Sequence, residues 1–371
     1  MSAPIRVGIV GVNAQRGWAA EAHIPALRSL PGYEITALST TRQESADAAA
    51  EAFGIPLAFG DHNDLVRHPE VDLVVVAVKV AHHNEIVTAA LNAGKAVYSE
   101  WPLGRNLAEV QGMIDLAARK KVRTLVGLQS RSTPAVMHAR DLIAAGYLGS
   151  VVSTTLIGSA GLGGVIDQGN AYMVNRENGA GLLRLVAAHS IDVLTMVLGD
   201  FAELSAVLDT RRPEIIVLES GERLTKTTPD QVAVIGRLDT GVTASLHFRE
   251  GHQGGEMFLW EINGTEGTLQ MRAGGGHPGM FTVQLAGAQA GDSIADIPIP
   301  ASYAEHTPGL ESLVNTTAYS VARMYDAFAS DLRTGSHNTP DFAEALAIFD
   351  VIEAIEEASV TGARVTLPKV D

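Results

Sequence analysis

Three short stretches carry side chains that could do chemistry. In VYSEWPLG (97–104) an apolar, strand-like run stops at Glu100, Trp101 and Pro102. An acid at a strand end contacts a ligand edge or caps local backbone N–H groups. An indole stacks on a ring or simply packs, and a proline there can turn the loop through a cis bond. In AAHSIDVL (187–194), His189 and Asp192 stand three residues apart on one helical face. That histidine either passes protons near neutral pH or is a satisfied core residue, and Asp192 can orient it or bind a ligand. The run VDLVVVAVKVA (71–81) is apolar but for Asp72 at its start and Lys79 near its end. An unpaired buried ammonium is costly, so Lys79 is expected to emerge into a polar site, beside a cofactor or Glu100.

A fourth stretch, GIVGVNAQRGW (8–18), joins the first strand-like run to the first helical one. A dinucleotide fold needs a tight turn there, close to a pyrophosphate and opening a helix. Gly11 suits the first turn position. The usual second glycine is Asn13 and the third is displaced to Gly17, so G-x-G-x-x-G is not matched. Asparagine tolerates left-handed backbone angles better than most residues. Gly11, Asn13, Gly17 and Trp18 are therefore the candidates for this end of a cofactor. After the second strand the chain reads ALSTTRQES (37–45), with no acid before Glu44. Ser39, Thr41 and Arg42 can donate to a 2′-phosphate, which favours NADP(H) over NAD(H); otherwise Arg42 is a solvated loop residue.

The elements that must position these groups alternate through the first 128 residues. Short β-branched runs at 5–12, 33–40, 71–78, 95–100 and 123–129 are separated by helical patterns at 20–30, 43–54, 62–69, 83–94 and 107–121. Such alternation means βαβ units and a parallel sheet, hence a doubly wound Rossmann-type domain over 1–128. Gln129 closes the last of these strands. Beyond it, a helix at 134–145 leads to closely spaced strand-like runs with turn signals such as NGTEG (263–267), and a helix at 180–198 precedes most of them. Helices near 311–334 and 340–359 and a last strand, ARVTLP, end the chain. This reads as an α+β domain over 129–371 with a mostly antiparallel sheet. The overall class is α/β.

Composition removes several functions. The 371 residues are too many for one ordinary core. There is no cysteine, so disulfides, thiolate metal sites and cysteine nucleophiles are excluded. A formal net charge of −15 without any Lys/Arg-rich block argues against a nucleic-acid surface. No signal-peptide pattern opens the chain and the most apolar run falls short of a membrane span, so a cytoplasmic location off the membrane is expected. His82, His83, His247 and His252 lack carboxylate partners at metal-ligand spacing, and no metal is expected.

The segments AHIPAL (22–27), GKAVYSEWPL (94–103), LVGLQSR (125–131), LIAAGYLG (142–149), HSIDVL (189–194) and INGTEGTL (262–269), in this order, resemble the glucose–fructose oxidoreductase/inositol dehydrogenase (Gfo/Idh/MocA) family across essentially the whole chain. The resemblance implies a Rossmann domain followed by a domain on a large open sheet. It also implies a nicotinamide cofactor, a sugar, cyclitol or related polyol or carbonyl substrate, and a homodimer or homotetramer. Dehydrogenases of that family carry Glu-Lys-Pro where this chain has Glu100-Trp101-Pro102, and an acid four residues before the histidine where this chain has Leu185. Two of three expected catalytic side chains are thus absent. VGVNAQRGW, VAVKVAHHNEIV (76–87) and EWPL resemble a subgroup, the fungal galactose-pathway co-repressors, which bind a dinucleotide and act as regulators. The leading expectation is an NAD(P)-dependent oxidoreductase. His189 would be its acid/base, helped by Lys79 or Asp192, with Glu100, Trp101, Pro102 and Gln129 around the cofactor. Trp101 and Tyr172, with Asp167 and Asn170 near it, would touch the substrate. The alternative is a non-catalytic dinucleotide-binding regulator or sensor.

Overall fold

The computed structural model describes residues 3–161, 163–251, 254–304 and 309–368. Its β-branched runs form a parallel sheet of β1 (Ile5–Val10), β2 (Tyr33–Ser39), β3 (Leu57–Phe59), β4 (Leu73–Val76), β5 (Ala96–Glu100) and β6 (Thr124–Gly127). The order is β3-β2-β1-β4-β5-β6, and each neighbouring pair runs parallel. The chain moves outward from β1 to β3 and then crosses back to β4. The strand order therefore reverses between β1 and β4, where such sheets bind their ligands. Every residue of β4 is fully buried, as its lack of alternation predicts for a strand covered on both faces. The short β3 has no signal in the sequence reading.

The chain divides into two compact units. The first takes in the chain up to Gln129 and a later stretch ending at Leu346; the second takes Ser130 onward and the segment from Ala347. Sequence reading assigns everything after 128 to one domain. The structure instead gives the helix Ala318–Thr334 to the first unit. The reason is its buried face: Tyr325 and Phe328 share one core with Leu27, Tyr33 and Tyr98. Tyr33 Oη donates to the Tyr325 carbonyl at 2.6 Å. That pairing links positions 292 residues apart, which no local pattern reveals.

In the second unit lie β7 (Val151–Ala160), β8 (Val165–Ile166), β9 (Phe201–Asp209), β10 (Glu214–Val217), β11 (Arg223–Thr225), β12 (Gln231–Leu238), β13 (Thr243–Glu250), β14 (Phe258–Gly264), β15 (Gly267–Ala273), β16 (Val283–Gln289), β17 (Ala295–Asp296) and β18 (Val365–Thr366). The large sheet runs β17-β16-β15-β14-β7-β13-β12-β9-β18. Among the described residues it is antiparallel except for β7 beside β13. A smaller sheet, β11-β10-β8, was not anticipated from sequence; its strands are two to four residues long. Trp260 is fully buried in the large sheet and its indole N–H donates to Thr154 Oγ1 at 2.8 Å. The helix expected at 180–198 is a π-helical turn, Leu183–Ala187, running into an α-helix, Ala188–Leu198.

Asp331 closes the helix Ala318–Thr334. It accepts hydrogen bonds from Ser336 Oγ (2.7 Å), the Asn338 amide (2.9 Å), the Thr339 amide (2.8 Å) and Thr339 Oγ1 (2.8 Å). Burial alone would raise its pKa; these donors bring it down to about 2. The turn they hold delivers Pro340, whose carbonyl accepts from Val126 of β6 at 3.0 Å. Asp331→Ala should cost on the order of 3 kcal/mol in urea unfolding, because the two buried donors of Thr339 lose their acceptor and the turn loses its bonds to Ser336 and Asn338. In the wild type this carboxylate is more acidic folded than unfolded. Its contribution is present above the ordinary carboxylate pKa and fades as pH falls from about 4 to about 2, and the variant should lack that portion of the acid transition.

Candidate functional site

In the first unit, the loop after β1 is built around Gly11. Its φ is +102°, and a Cβ there would sit 2.6 Å from the Ala77 carbonyl oxygen, so the turn admits only glycine. Asn13 is not in the left-handed region that sequence reading allowed for it: the described non-glycine residues with positive φ are Lys121 and Asn315. Its side chain does the work instead, accepting from the amides of Gln15 (2.9 Å) and Arg16 (3.2 Å). The amide folds back into its own loop, so the larger side chain does not occlude the turn. Gly17 has φ +98° and its carbonyl accepts from Ala20 and Glu21, opening the helical segment Ala19–Arg28. Trp18 is half-buried, and among the described residues its buried indole Nε1 has no hydrogen-bond partner. The loop thus fits a dinucleotide pyrophosphate at a strand–turn–helix junction.

Beyond β2, Ser39 is fully buried, whereas Thr41 and Arg42 are exposed, Arg42 at the start of the helix Gln43–Phe53. Past β4, Lys79 is exposed and precedes a short turn, Val80–His82. His83 secures this loop. It is buried and its Nε2 lies 3.0 Å from the Val78 carbonyl, with Ser99 Oγ at 3.4 Å from Nδ1. Burial holds its pKa below the usual histidine value.

The residues after β5 are interior. Trp101 is buried and the Trp101–Pro102 peptide is cis. Glu100 sits over a polar cluster within the first unit: its Oε1 is 2.9 Å from His23 Nε2, and His23 Nδ1 is 2.7 Å from Tyr325 Oη. Tyr98 meets His23 edge-on, with centroids 5.2 Å apart. Burial, and then the Glu100 charge, push the Tyr98 phenol well above its usual pKa, so it stays protonated. Gln129 is buried, and its Oε1 has no hydrogen-bond partner among the described residues.

The second unit brings together His189 and a residue sequence reading missed, His277. Their rings stack at 4.6 Å with an interplanar angle of 12°. The loop bearing His277 passes close to β7: a Cβ on Gly276 would lie 2.5 Å from the Ser159 carbonyl oxygen and 2.7 Å from Val186. The Gly279 amide donates to His277 Nδ1 at 3.2 Å, which leaves the His277 proton on Nε2. His189 Nδ1 is buried with no hydrogen-bond partner among the described residues. Burial brings His277 down to about 4. Burial, then the neighbouring His277, holds His189 well below the usual value. Both rings are neutral at pH 7.

Asp192 does not serve His189. It is fully buried and gripped by Arg131, whose Nε donates to both carboxylate oxygens (2.9 and 3.1 Å) and whose Nη2 donates to Oδ1 (2.7 Å). The three-residue spacing was read correctly as one face, but that face meets a guanidinium. Arg131 was visible in LVGLQSR only as part of a motif.

Beside the π-helical turn is a cavity of about 400 Å³ whose lining includes Leu185, Asp167 and Asn170. Tyr172, half-buried and with its pKa raised by burial, is not in the lining, although Asn170, Met173 and Val174 are. Lys226 and Glu250 are, and sequence reading missed both. Among the described residues no three histidine or acidic side chains gather as a metal site; His252 lies outside them.

A model of the oxidoreductase family with an NAD-binding Rossmann fold matches residues 5–128, and a model of the Gal80p C-terminal domain matches 134–273. The chain is 32% identical over 285 residues to dehydrogenase aclE of Aspergillus oryzae, covering 73% of this chain and 77% of that protein. The chain belongs to the Gfo/Idh/MocA family. Within this family it is 30% identical to the galactose/lactose metabolism regulatory protein GAL80 of Saccharomyces cerevisiae, over 78% of this chain and 72% of that protein. A crystal structure of a super-repressor variant of that protein superposes with a TM-score of 0.86 at 25% identity, covering 98% of each chain. Levoglucosan dehydrogenase of Pseudarthrobacter phenanthrenivorans is 27% identical, over 71% of this chain and 73% of that protein. The family thus holds both sugar dehydrogenases and Gal80-like regulators.

The histidine pair yields a stability prediction. Both rings bind protons more weakly folded than unfolded, so the unfolded state gains protons first as pH falls below about 6.5. Folding stability should drop between about 6.5 and 4, with His277 alone contributing on the order of 3 kcal/mol. His277→Phe keeps a stacked ring without a titrating group. Urea midpoints at stepped pH should show a shallower decline for this variant than for wild type.

Proposed function

We propose that this protein is an NAD(P)-dependent oxidoreductase that moves a hydride between the nicotinamide and a ring carbon bearing a hydroxyl or carbonyl group in a sugar- or cyclitol-like compound. The first unit holds the dinucleotide and the second holds the substrate. The observation that carries this reading is His189: buried, neutral at pH 7, and with Nδ1 unpartnered among the described residues. In the oxidising direction the substrate C–H pair leaves as hydride, the O–H proton passes to the neutral imidazole, and the C=O bond forms. The bound dinucleotide supplies the hydride acceptor, or in reverse the donor. A positioned proton acceptor contributes roughly 10²–10⁴-fold, most when its pKa lies near the working pH; burial lowers that of His189 and puts its share at the lower end. The kinship with levoglucosan dehydrogenase supports a sugar-like substrate. Asp192 is committed to Arg131, so His189 works without a carboxylate orienter from that face.

A second reading has its own observation. Trp101 and Leu185 replace the lysine and acid of the family's dehydrogenases, and the C-terminal match is to the Gal80p domain. On that reading the protein is a dinucleotide-responsive regulator. Following nicotinamide absorbance with a panel of polyols and aldoses separates the two: turnover supports the enzyme, while tight dinucleotide binding without turnover on any member supports the regulator. For the enzyme, His189→Ala should lower kcat at least about 100-fold while leaving dinucleotide affinity within a few-fold. Undiminished kcat would remove the proton role.

The cofactor form we propose is NADP(H) ahead of NAD(H), supported by exposed Thr41 and Arg42 and the absence of an acid at the end of β2. Calorimetric titration should show Arg42→Ala weakening NADP(H) by roughly tenfold, as expected on losing a charge-assisted hydrogen bond, with NAD(H) nearly unchanged.

A further inference from the structure

The second unit holds another, smaller pocket of about 220 Å³. Leu183 and Arg184, which open the π-helical turn, line it, whereas the next two residues, Leu185 and Val186, line the larger cavity. The two spaces have no lining residue in common. Two arginines and one acid set the charge of the smaller one. Arg184 has a side-chain exposure of 12%, and its Nη2 donates to Glu356 Oε1 at 3.3 Å and Oε2 at 3.2 Å. Arg176 is held differently. Its amide donates to Thr227 Oγ1 at 2.9 Å, which pins its backbone. Its guanidinium only approaches Glu356, with Nη2 3.8 Å from Oε2, too far for a hydrogen bond. Ser359, on the helix Phe342–Thr361, adds a hydroxyl. Its Oγ accepts from the Leu208 amide at 2.9 Å, on the edge of β9 beyond the short pairing with β18. Among the described residues the Ser359 proton has no acceptor. The hydroxyls of Thr210 and Thr228 are spent on backbone carbonyls, each at 3.2 Å.

We propose that this pocket binds a small monocarboxylate with a short apolar tail. The carboxylate forks onto the Arg176 guanidinium and accepts from the Ser359 hydroxyl, and the tail lies against Leu183, Leu208 and Val360. A planar guanidinium meets a carboxylate through two parallel, charge-assisted bonds. Arg176 and Arg184 against Glu356 leave one positive charge in the lining, which one carboxylate balances. A phosphate monoester carries close to two negative charges at pH 7 and meets Glu356 with the surplus. An amine has only the single acid, which Arg184 already holds. Val360 has an exposure of 87%, and a tail seated beside it removes apolar surface from water. The pocket is smaller than those that take drug-sized ligands, so the tail is short. This ligand differs in class from the substrate proposed above and occupies a different space.

The test is methyl chemical-shift titration of the full chain, reading Leu183 and Leu208, with isovalerate, isoamyl alcohol, isoamylamine and inorganic phosphate as probes. Wild type should bind isovalerate about tenfold tighter than the alcohol, the worth of one or two charge-assisted hydrogen bonds, and tighter than the amine or phosphate. Arg176→Gln changes a side chain that is 65% exposed and should fold. It should bring isovalerate down to the affinity of the alcohol. Arg176→Lys keeps the charge without the fork and should bind isovalerate with intermediate affinity. Equal affinity for isovalerate and the alcohol in wild type, phosphate binding as tight as isovalerate, or an undiminished preference in Arg176→Gln overturns the proposal. If Arg176→Gln does not fold, Val360→Glu, which sets a like charge beside the tail, must still weaken isovalerate more than the alcohol. An unchanged preference there overturns the proposal equally.

Discussion

Four consecutive residues, Ser130 to Thr133, fasten the second unit's site. Arg131 closes a fork on Asp192, a carboxylate with no solvent exposure. Ser130 Oγ lies 3.4 Å from His277 Nδ1, and Thr133 Oγ1 donates to the Pro278 carbonyl at 3.1 Å. One short segment thereby ties down both the helix that carries His189 and the loop that carries His277. The fork is the strongest of these ties. A planar guanidinium meets a carboxylate through parallel, charge-assisted bonds, and leaving Asp192 without its partner would strand a buried charge. The stacking of the two imidazoles depends on that anchorage, since two neutral rings attract each other too weakly to set their own positions.

The stack in turn decides what His189 can be. Burial and a neighbouring imidazole both oppose a charge on it. An acid four residues earlier would favour the charged form, but that position is Leu185, in the cavity wall. With leucine there, the effects of burial and of His277 on His189 are not opposed from that position. The first unit follows a different rule: it buries the Glu100 carboxyl and the His23 imidazole, Oε1 2.9 Å from Nε2, within a cluster of tyrosines whose phenols stay protonated.

Much of the fold was legible because it is written locally. Period and β-branched content marked five of the six strands of the parallel sheet, and Gly11 marked the turn whose backbone only glycine adopts. Glu100-Trp101-Pro102 stood out because an acid and a proline interrupt an apolar run. What escaped the sequence lies in contacts of long separation. Arg131 meets Asp192 across 61 positions, and Ser130 meets His277 across 147. The helix Ala318–Thr334 has an ordinary amphipathic pattern that does not say which core it joins. Asn13 was read for its backbone tolerance, whereas its side chain proved to be the structural element. His277 had one overlooked signal, the run Gly274-Gly275-Gly276 before it, where a chain without side chains can approach β7 closely.

Two ion pairs of the second unit, Arg131–Asp192 and Lys226–Glu250, differ in geometry, and the difference explains why they need not share a role. In the Arg131–Asp192 pair the fork is used on the inner side of the guanidinium, both carboxylate oxygens are engaged, and Asp192 is sealed. Such a pair is closed: its directional bonds fix two segments, and its specificity lies in the shape of the fork. Lys226 is a point charge on a flexible stem, with donors that rotate and no planar match to a carboxylate. It meets Glu250 symmetrically and does so at a cavity wall. Burial raises the Glu250 pKa against the lowering effect of Lys226, so its carboxylate is incompletely compensated by its partner. A closed fork is the economical way to lock a scaffold. An open pair at a cavity wall keeps hydrogen-bonding capacity that a closed fork has already spent.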